Sequence, residues 1–204
     1  VGSLAASVRI SPVSLDLAEL VAATGMEARA ITGNLNLTSA ETAAGNLALT
    51  GDAVRVATYL IAGRDIAVTA TGADATLGYA TAGRNLTVSA VNGDATLRQA
   101  NLTGATGDLA ITAGGNAILG EDDASSGIGT DRWFERAAGS TGTATIAGGT
   151  GAFINLDHSA ALGGVSAEQV EINVATGDLS IGQLVATDFD GSVPVEDGSL
   201  TVGS

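Results

Sequence analysis

The chain has 204 residues, with 29 glycines, two prolines and only six aromatic side chains. Glycine is used at roughly twice its average frequency without a matching rise in proline, which excludes a collagen-like or proline-rich disordered chain. The net charge of −14 opposes binding to nucleic acid or to anionic membrane surfaces. Hydrophobic residues make up 45% of the chain and are mostly small or aliphatic, which favours stacked thin layers over a globule built on large side chains.

Cysteine is absent, so neither a disulfide framework nor a thiolate metal site is expected. The sequence contains no run of about 18 apolar residues, the length that a membrane-spanning helix requires. The sequence starts at Val1, without an initiator methionine or a basic segment followed by an apolar one. We therefore expect a fragment or a processed product, with any signal peptide outside this sequence.

The first segment, residues 1–32, alternates apolar and polar residues at Val13–Leu17 but has irregular turns and spacing. Alternation with a period of two is typical of a half-buried strand. We expect irregular entering coils or a cap here.

Residues 33–120 contain regular repeats. Ala62–Thr81 aligns without gaps to Ala82–Asn101, and ten of the twenty positions are identical. Each repeat predicts one strand at Ile66–Ala70 or its equivalent and a second at Ala75–Leu77, with glycines between them. Such units bury their apolar face only against neighbours of the same kind.

These repeats predict an all-β fold, a parallel β-solenoid of about twenty-residue coils, with about ten coils in a single domain over 1–204. Equivalent residues then stack about 4.8 Å apart, Ile66 on Leu86 and Tyr59 near Tyr79. A β-sandwich of short strands is the alternative. The ungapped repeat favours the solenoid, because sandwich strands have no reason to repeat in sequence.

The run from about Gly33 to Gly120, with its AGR[DN][IL]xVxA and GDATL segments, resembles the haemagglutinin-type repeats of filamentous haemagglutinin and related bacterial exoproteins. The resemblance implies a right-handed parallel β-helix. It also implies an extracellular or cell-surface location, two-partner secretion, and a function in attachment to host cells, in contact between bacteria or in biofilm.

Acidic and basic residues recur at fixed positions of the repeat. Asp74 and Asp94 are equivalent, and Arg64 and Arg84 are equivalent. A stacked carboxylate pair suits acid–base chemistry or cation binding, although aspartate is also a favoured turn residue, and we expect solvated corners. The arginines are expected at the surface, where a column of them could also hold a sugar acid.

Residues 121–141 break the repeat and predict one long loop excursion, because insertions in repeat proteins map to loops that often carry binding. Adjacent aromatics flanked by arginines indicate a contact site for a sugar or a protein, and a hydrophobic plug is the alternative. Gly127–Asp131 matches part of a calcium-binding nonapeptide, but in a single copy. The contact candidates are Arg132, Trp133, Phe134 and Arg136, and the weak calcium candidates are Asp122, Asp123 and Asp131.

Residues 142–204 predict further coils, with strands at Ala152–Leu156, Val170–Val174, Leu179–Ile181 and Leu200–Val202. The run Asp157-His158-Ser159 contains the residue types of a catalytic triad. Adjacent residues of a strand point to opposite faces, however, so sequence adjacency does not build that geometry. His158, the only histidine, is expected to be an exposed side chain without a catalytic role.

Three functional classes follow. The leading one is a nonenzymatic segment of a bacterial cell-surface adhesin that contacts a surface protein or glycan. The second is a self-assembling subunit of an extracellular filament or surface layer, through end-to-end pairing of exposed strand edges. The third is a β-helical enzyme that cleaves polysaccharides. Scattered acids and the absence of lysine place the enzyme last, and no catalytic residue or cofactor is assigned.

Overall fold

A computed structural model describes residues 6–10, 14–30, 32–120, 133–190 and 200–203. Within these residues the chain is all-β, without a helix, and forms a parallel β-solenoid of about eight turns. The strands are β1 (Ala6–Ile10), β2 (Leu15–Ala22), β3 (Met26–Ala30), β4 (Leu35–Thr42), β5 (Leu47–Gly51), β6 (Val54–Ala62), β7 (Ile66–Ala70), β8 (Ala75–Ala82), β9 (Leu86–Ala90), β10 (Ala95–Leu102), β11 (Leu109–Ala113), β12 (Asn116–Leu119), β13 (Phe134–Arg136), β14 (Ala144–Gly148), β15 (Gly151–Leu156), β16 (Ala160–Val174), β17 (Leu179–Asp190) and β18 (Leu200–Val202).

The register agrees with the sequence repeat. β7 pairs in parallel with β9, which places Ile66 beside Leu86 and Val68 beside Val88. Tyr59 pairs with Tyr79, as the alignment predicts. Residues one repeat apart therefore lie side by side on paired strands of neighbouring coils.

Each coil has three short faces, not the two strands expected from the sequence. The first face is one strand, such as β7, and the other two share one long strand, such as β8. In β8 the buried positions change from Ala75 and Leu77 to Ala80 and Ala82, so the chain turns a corner at Gly78. We call the strand halves after this corner, residues 19–22, 39–42, 59–62, 79–82 and 99–102, together with β13, the third face.

The core is a set of columns of aliphatic side chains inside the rod. Leu47, Ile66, Leu86 and Leu109 follow one another in register and are each at most 1% exposed. The corners are equally tight: a Cβ placed on Gly83 would lie 2.0 Å from the carbonyl oxygen of Gly63 in the coil before. The repeated glycine is required here because the two corners stack backbone on backbone.

The described residues form about eight turns, fewer than the ten predicted for the whole chain. Residues 120–133 separate β12 from β13, and β13 itself lies within the predicted excursion at 121–141 and pairs with β10. Residues 1–32 contain β1, β2 and β3, which keep the same parallel register as the later coils. The right-handed sense implied by the resemblance stays a prediction.

In the part of the chain that the structure describes, no helix is long and apolar enough to cross a membrane.

Replacing Leu86 by alanine should lower the free energy of unfolding by about 2 to 5 kcal/mol, because it removes the three heavy atoms beyond Cβ from a closed core column. The exposed neighbour Thr87 provides the control, and Thr87→Ala should change stability by less than about 0.5 kcal/mol. Urea unfolding followed by circular dichroism measures both. Equal effects of the two substitutions would contradict the inward and outward assignment of this strand.

Candidate functional site

Both tyrosines and the only tryptophan lie together on the third face. They line a groove of about 300 Å³, which we call the aromatic groove. Register pairs connect its members: Tyr59 pairs with Tyr79, and Tyr79 pairs with Gln99. The groove therefore follows the rod axis across several coils, and it is lined by Thr58, Tyr59, Tyr79, Gln99 and Trp133.

Trp133 reaches Tyr79 across Gln99. Its carbonyl oxygen accepts a hydrogen bond of 3.1 Å from the Ala100 amide, which fixes its backbone beside β10. The indole and the Tyr79 ring have centroids 5.5 Å apart at an interplanar angle of 62°, an edge-to-face contact. This geometry is a favoured one for aromatic pairs. Trp133 is half-buried, so part of the indole remains open to a partner.

Phe134 corrects one sequence expectation. It was predicted to contact a partner, but it is buried at 6% exposure and belongs to the hydrophobic core. The reason is strand alternation: Phe134 pairs with Ala100, an inward position, and a large ring fills the room beside that small side chain. The plug interpretation therefore applies to Phe134, and a contact role for Trp133 stays a prediction.

Arg136 lies at a second depression, of about 840 Å³, between β13 and the start of β16. β13 pairs with β10, and residues 160–162 pair with β17, so the third-face ladder does not continue between them. The Arg136 guanidinium bridges this gap, because it donates to the carbonyl oxygens of Gly142 and Ala161 and lies 5.7 Å from the Phe134 ring centroid. Its hydrogen bonds thus hold two coils together.

The remaining candidates of the excursion, Arg132 and the calcium candidates Asp122, Asp123 and Asp131, lie outside the described residues. Among the residues that are described, no group of three or more histidine, cysteine, aspartate or glutamate side chains is arranged to hold a metal ion.

Polar side chains at the corner before the first face form a ladder along the rod. Each side-chain oxygen accepts a hydrogen bond from the backbone amide one coil later. The bonds run from the Asp65 amide to Asn46 (3.4 Å), from the Asn85 amide to Asp65 (3.2 Å), from the Asp108 amide to Asn85 (3.1 Å) and from the Thr143 amide to Asp108 (2.7 Å). The aspartate or asparagine of each repeat satisfies backbone donors that the turn would leave open.

Asp74 and Asp94 form the equivalent ladder at the corner before the second face. The Asp94 amide donates to Asp74 Oδ1 at 2.9 Å, and the Asn116 amide donates to Asp94 Oδ1 at 2.7 Å. The two carboxylates stack as the sequence predicts. The structure uses them as amide acceptors at a corner, in agreement with the turn interpretation.

Arg84 makes an ion pair with Asp65, the acid of the preceding coil. Arg84 Nη2 lies 2.5 Å from Asp65 Oδ2, and Nε lies 3.1 Å from Oδ1. The hydrogen bond from Arg84 lowers the pKa of Asp65 from its ordinary 3.8, while partial burial of the carboxylate opposes this shift. The same bond raises the pKa of Arg84. Arg64 stacks below Arg84 through a backbone hydrogen bond of 2.8 Å, as expected.

His158 is exposed at a corner, as expected. The neighbouring Ser159 hydroxyl accepts a hydrogen bond of 2.9 Å from the Asp178 amide, which gives this serine the same corner role as the aspartates elsewhere.

Sequence reasoning missed three members of the surface around the groove: Thr58, Gln99 and Glu19. The repeat spacing could have placed Gln99 in the groove, because it follows Tyr79 by one repeat of twenty residues. Glu19 precedes Tyr59 by forty residues, and its Oε1 lies 3.5 Å from the Tyr59 hydroxyl oxygen. The sequence predicts only two short strands in each coil, so the third face and this column were not expected.

No protein-family model, curated protein or solved structure matches the chain.

Replacing Asp94 by alanine should lower the free energy of unfolding by about 1 kcal/mol, because the half-buried Asn116 amide loses its acceptor. Asp94→Asn keeps an oxygen at the same place and should stay within about 0.5 kcal/mol of the unmodified chain. Denaturant unfolding of both variants tests this. If asparagine were as destabilising as alanine, the carboxylate charge would be what matters, and the amide-acceptor role would be refuted.

The Asp65–Arg84 pair predicts a pH dependence. Because the pKa of Asp65 is lowered in the folded chain, the pair's contribution to stability is present above pH 3.8 and is lost as the pH falls through that lowered pKa. The difference in urea midpoint between the unmodified chain and Arg84→Gln should thus be constant near neutral pH and shrink on acidification. Arg64→Gln is the control, since Arg64 has the smallest effect on the pKa of Asp65. A difference that grows in acid would contradict the assignment.

Proposed function

We propose that this chain is a nonenzymatic segment of a bacterial cell-surface adhesin, a β-helical rod that attaches to a surface glycan or protein through its aromatic groove. The observation that carries the proposal is the clustering of Tyr59, Tyr79 and Trp133 on one face of a rod whose other outward positions are mostly small or polar. Tyrosine and tryptophan are the side chains most enriched at binding hot spots.

The regular strand pairing of the rod gives the aromatic groove a rigid support. Neighbouring coils are joined by parallel ladders with the same register on the first face from β1 through β11, so the groove has a firm support. A site built on strands is held more accurately than one built on a loop. The extracellular location and the two-partner secretion route enter this proposal through the sequence resemblance.

The use of the acidic side chains also favours attachment over catalysis. Asp65, Asp74, Asp94 and Asp108 each accept a backbone amide hydrogen at a corner of the rod. These four carboxylates therefore have a structural role that is independent of any reaction.

Attachment of beads coated with the purified chain to bacterial and animal cells tests the proposal. We expect Tyr79→Ala and Trp133→Ala to weaken attachment roughly tenfold or more, because loss of a hot-spot aromatic costs about 2 kcal/mol of binding free energy. Phe153→Ala, on the second face in register with Ile118, is the matched aromatic control and should attach normally.

Circular dichroism confirms that each variant is folded before attachment is compared. Attachment that is unchanged in both Tyr79→Ala and Trp133→Ala, or that falls equally in Phe153→Ala, would overturn the assignment of the groove.

A further inference from the structure

The size of the aromatic groove limits what it can hold. Its volume of about 300 Å³ is at the lower end of small-ligand pockets. A stable protein interface buries about 800 Å² on each partner, far more than five lining side chains provide. A ligand of one or a few sugar rings matches the groove, since a sugar ring presents C–H groups to an aromatic face and hydroxyls to its rim.

The charged side chains of the third face further limit the class of saccharide that suits the groove. Glu19 Oε1 lies 3.5 Å from the Tyr59 hydroxyl, because the intervening residue of that column, Ser39, is small. Glu41 and the exposed Glu135 lie on the neighbouring outward column, beside Ile61 and Asn101. One carboxylate therefore lies at the end of the aromatic column, and two lie on the outward column next to it.

The described cations near the groove are engaged in the structure. Arg98, which precedes Gln99, is buried at 6% exposure, and the Arg136 guanidinium donates to two backbone carbonyls. An anionic sugar would thus meet carboxylates without an exposed cation among the described residues of this face. A protonated amine would instead meet the carboxylates and the negative faces of the tyrosine and tryptophan rings.

We propose that the aromatic groove binds a saccharide with free amino groups, such as a deacetylated amino-sugar polymer lying along the rod axis. The sugar rings stack on Tyr59, Tyr79 and Trp133, and the ammonium groups of successive sugars pair with Glu19, Glu41 and Glu135 along the rod. This inference rests on the proposed function, since it names the ligand class of the same groove.

Calorimetric titration with glucosamine oligomers, with N-acetylglucosamine oligomers of equal length and with galacturonic acid oligomers tests the inference. We expect the free amines to bind roughly tenfold more tightly than the acetylated oligomers, and the uronic acids to give no binding. Tyr79→Ala should weaken glucosamine binding by roughly tenfold.

Glu19→Gln and Glu27→Gln form a matched pair, because each removes one negative charge but Glu27 is exposed on the first face. Glu19→Gln should weaken glucosamine binding roughly threefold, and Glu27→Gln should leave it unchanged. Equal losses in the two variants would reveal nonspecific attraction of a polycation to an acidic protein and would overturn the inference.

The outcomes separate this inference from the proposed function. Acetylated or acidic sugars that bind as tightly as glucosamine would overturn the inference. A complete lack of sugar binding would also overturn the inference. If bead attachment still depended on Tyr79 in that case, the adhesin proposal would stand. If sugar binding and aromatic-dependent attachment both failed, both proposals would fall.

Discussion

Parallel pairing of each coil with the next is the constraint on which the rest of this structure depends. A residue in such a ladder is neighboured by its own equivalents about 4.8 Å above and below, so each position of the repeat must tolerate a column of similar side chains. Inside the rod this favours aliphatic residues, as in the column that contains Ile66 and Leu86. At the corners it favours glycine, where Gly83 stacks on Gly63, and aspartate or asparagine, whose oxygens accept amides of the next coil.

The same constraint explains how an aromatic groove arises on a chain with few aromatic residues. A tyrosine repeated at one position becomes a pair of tyrosines on neighbouring strands, as Tyr59 and Tyr79 are. The excursion before β13 then adds Trp133 from outside the repeat. Glu19 joins from two coils away because Ser39 leaves the space open. Residues far apart in sequence thus form one groove, and most of the spacing between them comes from the repeat itself.

The sequence predicted much of the fold because ladder neighbours are also repeat neighbours. The ungapped alignment of Ala62–Thr81 with Ala82–Asn101 gives the observed register of β7 with β9 and of β8 with β10. It could not show that each coil has three faces, because Tyr79–Ala82 lacks the clear alternation of the first strand and turns a corner at Gly78. Phe134 was misplaced for a related reason: whether a residue after a long insertion points inward depends on where the chain rejoins the ladder, at Ala100.

We propose that the aromatic groove on the third face is the contact surface of this rod. Chemical-shift mapping by nuclear magnetic resonance during titration with a glucosamine oligomer tests this proposal most directly. We expect the largest shifts at the Trp133 indole N–H, at the rings of Tyr59 and Tyr79 and at the Gln99 side-chain amide. Shifts spread evenly over the acidic corners, or confined to the depression beside Arg136, would contradict it.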